Sequence, residues 1–231
     1  LYAMPVTYNG DFHVDDTTLK STYSLDLNHI TGNIVFTENT VTAEGLTADY
    51  FNEPVRLIIN SNEKEGLHLG LEGNSNSSFI AAQIAHFIHA PDKLTTQISS
   101  LIDGACDWKA VLSPLENSAG VVTKDDRLLR ISSPLTGLAI ILPAPLGKNY
   151  ETQPLEITTT ISTSPRKHIQ FTYGDSLSGK VDLNQGIAGV ALSRAELILG
   201  ADAKHSGEGD GIIIHGAVNE LSLSEWYNFL H

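Results

Sequence analysis

The chain has 231 residues, 41% apolar and only 18% charged, and its 14 Lys+Arg against 27 Asp+Glu give a formal net charge of −13. So few charges among so much Leu, Ile and Val exclude a disordered tail, and an acidic balance with no basic run excludes a nucleic-acid surface and electrostatic docking on anionic lipid heads. The longest apolar stretches, Phe79–Ala90 and Leu138–Leu142, fall short of the ~20 residues that span a bilayer, which leaves a folded acidic piece with room for one sizeable core or two small ones.

The chain opens on strand-like sequence, Leu1–Tyr8, with no initiator Met and no signal peptide, so it reads as an internal segment of a longer protein. Asn9-Gly10 is a turn signal. From there most of the chain alternates with period two, the pattern of half-buried strands. Ile30–Phe36, Val55–Ile59 and Leu67–Leu71 are the first such runs, with Asn60–Asn62 and Gly73–Ser78 as turns. Phe79–Ala90 then shifts to helical spacing, with Ile80, Ile84, Phe87 and Ile88 on one face and Ser78 as its cap. After Pro91 a second helix runs over Asp92–Ile102, carrying Leu94, Ile98, Leu101 and Ile102, with Gly104 placed to stop it. Alternation resumes in Trp108–Leu112, Leu128–Ser132, Leu138–Leu142, Leu155–Ile161, His168–Tyr173, Leu177–Leu183, Gly189–Leu192, Ala195–Leu199 and Gly211–Leu223. The turns among these runs are Ser133-Pro134, Ser164-Pro165 and Gly207–Gly211. A last helical turn after Ser224 offers Trp226, Phe229 and Leu230 to a sheet. Short strands at close spacing without intervening helices indicate antiparallel meanders. The expected fold is therefore mainly β, an antiparallel twisted sheet with one helical hairpin packed on it. Its sub-units are 1–78, the hairpin 79–104, and 105–231.

One strand grammar recurs, in Ile30-Thr-Gly-Asn-Ile-Val-Phe36, Leu177-Ser-Gly-Lys-Val-Asp-Leu183 and, less completely, Ile214-His-Gly-Ala-Val218. Unequal spacing excludes a regular solenoid, and a glycine inside a strand marks a bulge or bend.

Catalytic chemistry has one short motif to stand on. Gly174-Asp175-Ser176-Leu177-Ser178 matches the nucleophile block of GDSL-type esterases, and Asp202-Ala-Lys-His205 supplies an Asp-x-x-His. Ser176, Asp202 and His205 would make a hydrolytic triad. Against it, the stretch between Ser176 and Asp202 is strand-like, and no helix follows Ser176 to present the hydroxyl at a strand-to-helix turn. A turn between two strands accounts for the same residues. His86 and His89 have a metal-holding spacing but no third ligand. Cys106 is the one cysteine, which excludes an internal disulfide and a cysteine-based metal cluster. Asp15-Asp16 and Asp125-Asp126 lack the alternating oxygen ligands of a calcium loop, and Glu208 and Asp210 fit a glycine-rich loop. No enzyme, cofactor or metal is expected.

The stretch Gly137-Leu-Ala-Ile-Ile-Leu-Pro-Ala-Pro-Leu-Gly-Lys148, followed by Gln153-Pro-Leu-Glu-Ile157, resembles the "GLALDLPAPLGK…PL" motif of the YhdP family, large AsmA-like proteins of Gram-negative bacteria. Ile30–Phe36 with Leu46-Thr-Ala-Asp-Tyr-Phe-Asn-Glu-Pro-Val55 is similar to that family's repeated strand unit. Asp103-Gly-Ala-Cys-Asp-Trp108 is similar to its "DG-x-A-x-W" step. Ala195–Gly200, Gly211–Gly216 and Leu223–Trp226 are similar to its ending. The resemblance covers about residues 25–230, and Ile141 stands where the family motif carries an acid.

The resemblance implies the periplasmic part of an inner-membrane-anchored protein whose anchor lies elsewhere, and a β-sheet groove that carries phospholipid acyl chains toward the outer membrane. It brings no catalytic residues. The residues of one strand parity that would line such a groove are Leu138, Ile140 and Leu142; Leu155, Ile157 and Ile161; Ile169 and Phe171; Leu197 and Leu199; and Ile212 and Ile214. Ile141, Ile198 and Ile213 have the opposite parity, so several strands are apolar on both faces. The implied partners are phospholipid and the rest of the parent chain, with no nucleic acid. A scaffold that binds protein strands for outer-membrane assembly is the alternative outside transport.

Overall fold

The computed structural model describes residues 8–21, 25–63, 66–87, 92–116, 122–162, 164–186, 189–200, 211–218 and 220–230. Among them are thirteen strands and three helices. The first group is β1 (Asn9–Leu19), β2 (Leu27–Thr37), β3 (Val41–Tyr50), β4 (Glu53–Asn62) and β5 (Gly66–Asn76), followed by α1 (Ser77–Phe87) and α2 (Asp92–Ser100). Then come β6 (Ile102–Glu116), β7 (Val122–Ser133), β8 (Leu138–Ile140), β9 (Leu155–Ile161), β10 (Arg166–Tyr173), β11 (Leu177–Gly186), β12 (Gly189–Leu199), β13 (Gly211–Gly216) and α3 (Leu223–Leu230). Hydrogen bonding orders the strands β1-β2-β3-β4-β5-β6-β7-β9-β10-β11-β12-β13, with β8 paired to β6 instead. The fold is thus mainly β, an open sheet with two ends and a pair of helices, as the alternation required. The pairs from β1 to β5 and from β9 to β12 are antiparallel. One pair departs from the expected meander: β13 lies parallel to β12.

The chain divides into two compact units. The first comprises Leu1–Gly73 with Lys109–Leu129. Its register sets Leu46 opposite Leu57 and Leu57 opposite Leu71, so the alternate apolar residues of three strands fall on one face. Leu27, Ile30, Ala43, Leu46, Ala48, Val55, Leu57 and Leu71 are buried there, and each fully buried Leu or Val contributes roughly 1.5–3 kcal/mol. The other face carries Thr42, Glu44, Thr47, Arg56, Asn60, His68 and Glu72, with Ile58 among them. Glu72 accepts a hydrogen bond from Lys109 Nζ (2.9 Å) and has Arg56 Nη1 at 3.6 Å, which holds its carboxyl below the usual range, the Lys109 hydrogen bond contributing most.

The second unit comprises Asn74–Trp108 with Arg130–His231. Helix α1 buries Ala81 and Ala85, small residues that let a helix approach its neighbours closely. Trp108 Nε1 donates to the buried Ser75 Oγ (2.8 Å), so neither polar atom is left unpaired by burial.

Several local expectations are corrected. Asn9-Gly10 is no turn; both residues lie inside β1. Asp15-Asp16 is also part of that strand. It sits at an irregularity between Val14 and Thr17, where Asp16 takes φ 51° and bonds His29 Nδ1 at 2.6 Å. Gly73–Ser78 and Asn60–Asn62 lie largely inside strand or helix rather than in turns. The cap of α1 is Asn76, whose Oδ1 accepts from Phe79 N at 3.0 Å, and not Ser78, which is already helical. Helix α2 stops at Ser100, so Ile102 and Gly104 belong to β6. Leu1–Val6, His89, Pro91, Asp202, His205, Glu208 and Asp210 lie outside the described residues.

Candidate functional site

The pairing of β9 to β13 decides which apolar residues share a face. Phe171 stands opposite Ile157 on β9 and Gly179 on β11. Gly179 stands opposite Leu197 on β12, which stands opposite Ile214 on β13. The rows on either side follow. One holds Thr159, Ile169, Val181, Ala195 and Ile212, the other Leu155, Tyr173, Leu177 and Leu199. Ile157, Ile161, Ile169, Phe171, Leu197, Leu199, Ile212 and Ile214 therefore lie on one face of the second unit. Most of these are half-buried, and Ile212 and Ile214 are 62% and 60% exposed. The glycine in the row has a role: a Cβ at Gly179 would come within 2.7 Å of the Phe171 ring, so its absence lets that ring lie flat over the strand.

The opposite face of β9 to β11 carries Glu156, Thr158, His168, Gln170, Thr172, Lys180 and Asp182. His168 Nδ1 and Asp182 Oδ1 meet there at 2.7 Å. The expectation of strands apolar on both faces holds only for β12 and β13, where Ile198 is 2% exposed and Ile213 half-buried. Glu196 on that side is 3% exposed, with His215 Nε2 at 3.3 Å and Arg194 Nη2 at 4.0 Å.

One end of the apolar face is closed. Tyr173 packs with Cys106, Leu135 and Leu138 in a buried cluster, joined by Ile80, Ile140, Leu155 and Leu177. Leu138 is thus a core residue at 3% exposure, paired through β8 to β6, while Ile140 and Leu142 are half-buried at its margin. Burial raises the Tyr173 phenol to a pKa of about 12, and its hydroxyl donates to Leu146 O (3.2 Å).

The segment between β8 and β9 forms this closure. Lys148 Nζ donates to the carbonyls of Leu135 (2.9 Å), Asn149 (2.6 Å) and Leu138. Desolvation lowers its pKa. Gly147 sits so close that a Cβ would lie 1.9 Å from Leu142 O, and Gly137, at φ +85°, would press one to 2.7 Å from Ala105 O. Ala144-Pro145 is a cis peptide. Helix α3 meets this closure, where Trp226 Nε1 donates to Ala144 O at 2.8 Å. Ser222 Oγ accepts from Glu225 N to cap that helix.

Ser176 lies in the turn from β10 to β11, where its hydroxyl accepts from Gln153 Nε2 at 3.2 Å and its amide donates to Tyr173 O. A strand–turn–strand setting is the arrangement that the esterase reading could not use. Among the described residues no group of three His, Cys, Asp or Glu could hold a metal ion.

A family model described as YhdP protein matches residues 3–231, nearly the whole chain. The chain belongs to the YhdP family. No curated protein and no solved structure matches it. Within this YhdP-family chain, the Gly137–Lys148 motif is the closure just described. Ile141, where the family motif carries an acid, is 56% exposed, so either side chain faces solvent at that point. Among the described residues no helix is long and apolar enough to cross a membrane.

Proposed function

We propose that this chain is a non-catalytic segment of a YhdP-type protein of the Gram-negative envelope. In this reading the apolar face of β9 to β13 holds phospholipid acyl chains during passage through the periplasm. The anchor to the inner membrane would lie elsewhere in the parent protein. The observation that carries the reading is the register of that face: five strands present an apolar, half-exposed surface, and three of them are polar behind it. Such a surface needs no reactive group to hold lipid, since each methylene withdrawn from water contributes about 0.8 kcal/mol. Ile157, Ile161, Ile169, Phe171, Leu197, Leu199, Ile212 and Ile214 would form the contact. Leu138, Ile140 and Leu142 belong to the closed end that limits it.

Native mass spectrometry of the purified segment, with organic extraction, tests the proposal. Co-purifying phospholipid is expected, and it should be lost in Phe171→Glu with the circular dichroism spectrum retained. Photocrosslinkers at Ile157 or Phe171 should capture lipid. Capture of protein alone would move the reading to a scaffold for outer-membrane assembly.

A further inference from the structure

One residue on the apolar face does not belong there by polarity. Thr159 lies on β9 between Ile157 and Ile161 along this face and opposite Ile169. It is 6% exposed, and its Oγ1 has no hydrogen-bond partner. Buried hydroxyls are nearly always bonded, since removal from water without a partner is costly. The other buried hydroxyls of this unit follow the rule: Ser75 accepts from Trp108 Nε1, and Ser133 donates to Asp107 O at 2.6 Å. The β-branched residue that would fit this strand position without that cost is Val.

We infer that Thr159 is a specificity residue, a hydrogen-bond donor for the ester carbonyl of a diacyl lipid lying on this face. The inference rests on the lipid-holding reading above and names the atom by which the face tells an ester-linked lipid from a purely apolar chain. An acyl chain offers nothing to a hydroxyl except at its ester end, where the carbonyl is an acceptor with no donor of its own. Strand amides are committed to the ladder, so a side-chain donor in the row is the chemistry that could meet it. A chain packed against Ile157 and Phe171 would bring its ester end over Thr159, and the hydroxyl, covered in the lipid-free face, would turn outward to it and exchange an unpaired state for a bonded one.

The test uses the whole chain, a diacyl phospholipid and its dialkyl ether analogue with the same head group and chain length, competed and read by native mass spectrometry. The wild type should prefer the ester by about tenfold, the scale of one hydrogen bond. Thr159→Ser should keep the preference and Thr159→Val should abolish it. Thr159→Val should also raise the melting temperature of the lipid-free protein, because it removes an unpaired buried hydroxyl. A lower melting temperature would show that the hydroxyl is already satisfied and would overturn the inference. Equal capture of the two lipids by the wild type, or a preference surviving in Thr159→Val, would overturn it while leaving the lipid-holding face intact. Capture of neither lipid would remove both.

Discussion

Lys148 is the residue whose importance is least visible from its type. A lysine after a Pro- and Gly-rich loop reads as a solvated charge, yet its ammonium caps three carbonyls in the closure. Nothing in alternation or charge spacing marks a side chain that hydrogen-bonds its own loop, so only the family motif singled it out. Lys148→Met should destabilise the protein by about 2 kcal/mol through the acceptors left unpaired, measured by urea denaturation. Gly147→Ala should do more, since its Cβ meets Leu142 O at 1.9 Å. A loss of about 3 kcal/mol or failure to fold is expected. On the polar face of the first unit, Glu72 has its pKa held down chiefly by Lys109. A carboxyl with a depressed folded pKa contributes stability above its unfolded value, near 4.5, and that contribution fades as pH falls through the folded value. Glu72→Gln should therefore flatten the acid limb of a melting-temperature profile below about pH 4.5 and leave the neutral region nearly parallel to the wild type.

Among the elements, the strands with strong apolar alternation were legible in the sequence. Val55–Ile59, Leu67–Leu71, Leu155–Ile161 and His168–Tyr173 all lie within β4, β5, β9 and β10. Strands β1 and β3 were not. The first is exposed along most of its length and carries Asp and Thr where a half-buried strand would carry Val. The second buries Ala43, Leu46 and Ala48, two of them small and with the period broken by a register shift between Glu44 and Leu46, so its signal is faint. The helical pair was visible from its spacing, but not its cap, since the polar run Asn74–Ser78 precedes Phe79 and only geometry selects Asn76. Asn76→Ala should cost about 1 kcal/mol, read by thermal melting, whereas Ser78→Ala should stay within about 0.5 kcal/mol. The parallel pairing of β13 was hidden because residues 211–216 look alike in either direction.

For the molecule as a whole, the low charged fraction follows from the faces. Along the middle of β3 to β5 and of β9 to β11, Glu44, Arg56, Glu72, Glu156, Lys180 and Asp182 stand on one side of the strands and the buried apolar residues on the other. That Ile157, Ile169, Phe171, Leu197, Ile212 and Ile214 share one face was legible because strand parity alone places them together. The segment between β8 and β9 was not, for parity says nothing of a loop that folds over a sheet end. If the face holds lipid, the mass of the native segment should exceed that of its 231 residues by one or more phospholipids.

The two ends of the strand order are unlike. Strand β1 is protected as an edge, with Asp11, Asp15, Asp16 and two register shifts along it. Strand β13 has Ile212, Ile213 and Ile214 in a row and no carboxylate or ammonium within it. An uncharged, unbulged edge is a template for another strand. The protein should therefore self-associate as its concentration rises, read as growth of scattered light at neutral pH, and Ile213→Lys should suppress that growth. Handled alone, this protein is limited less by how well it folds than by which strand finds its last one.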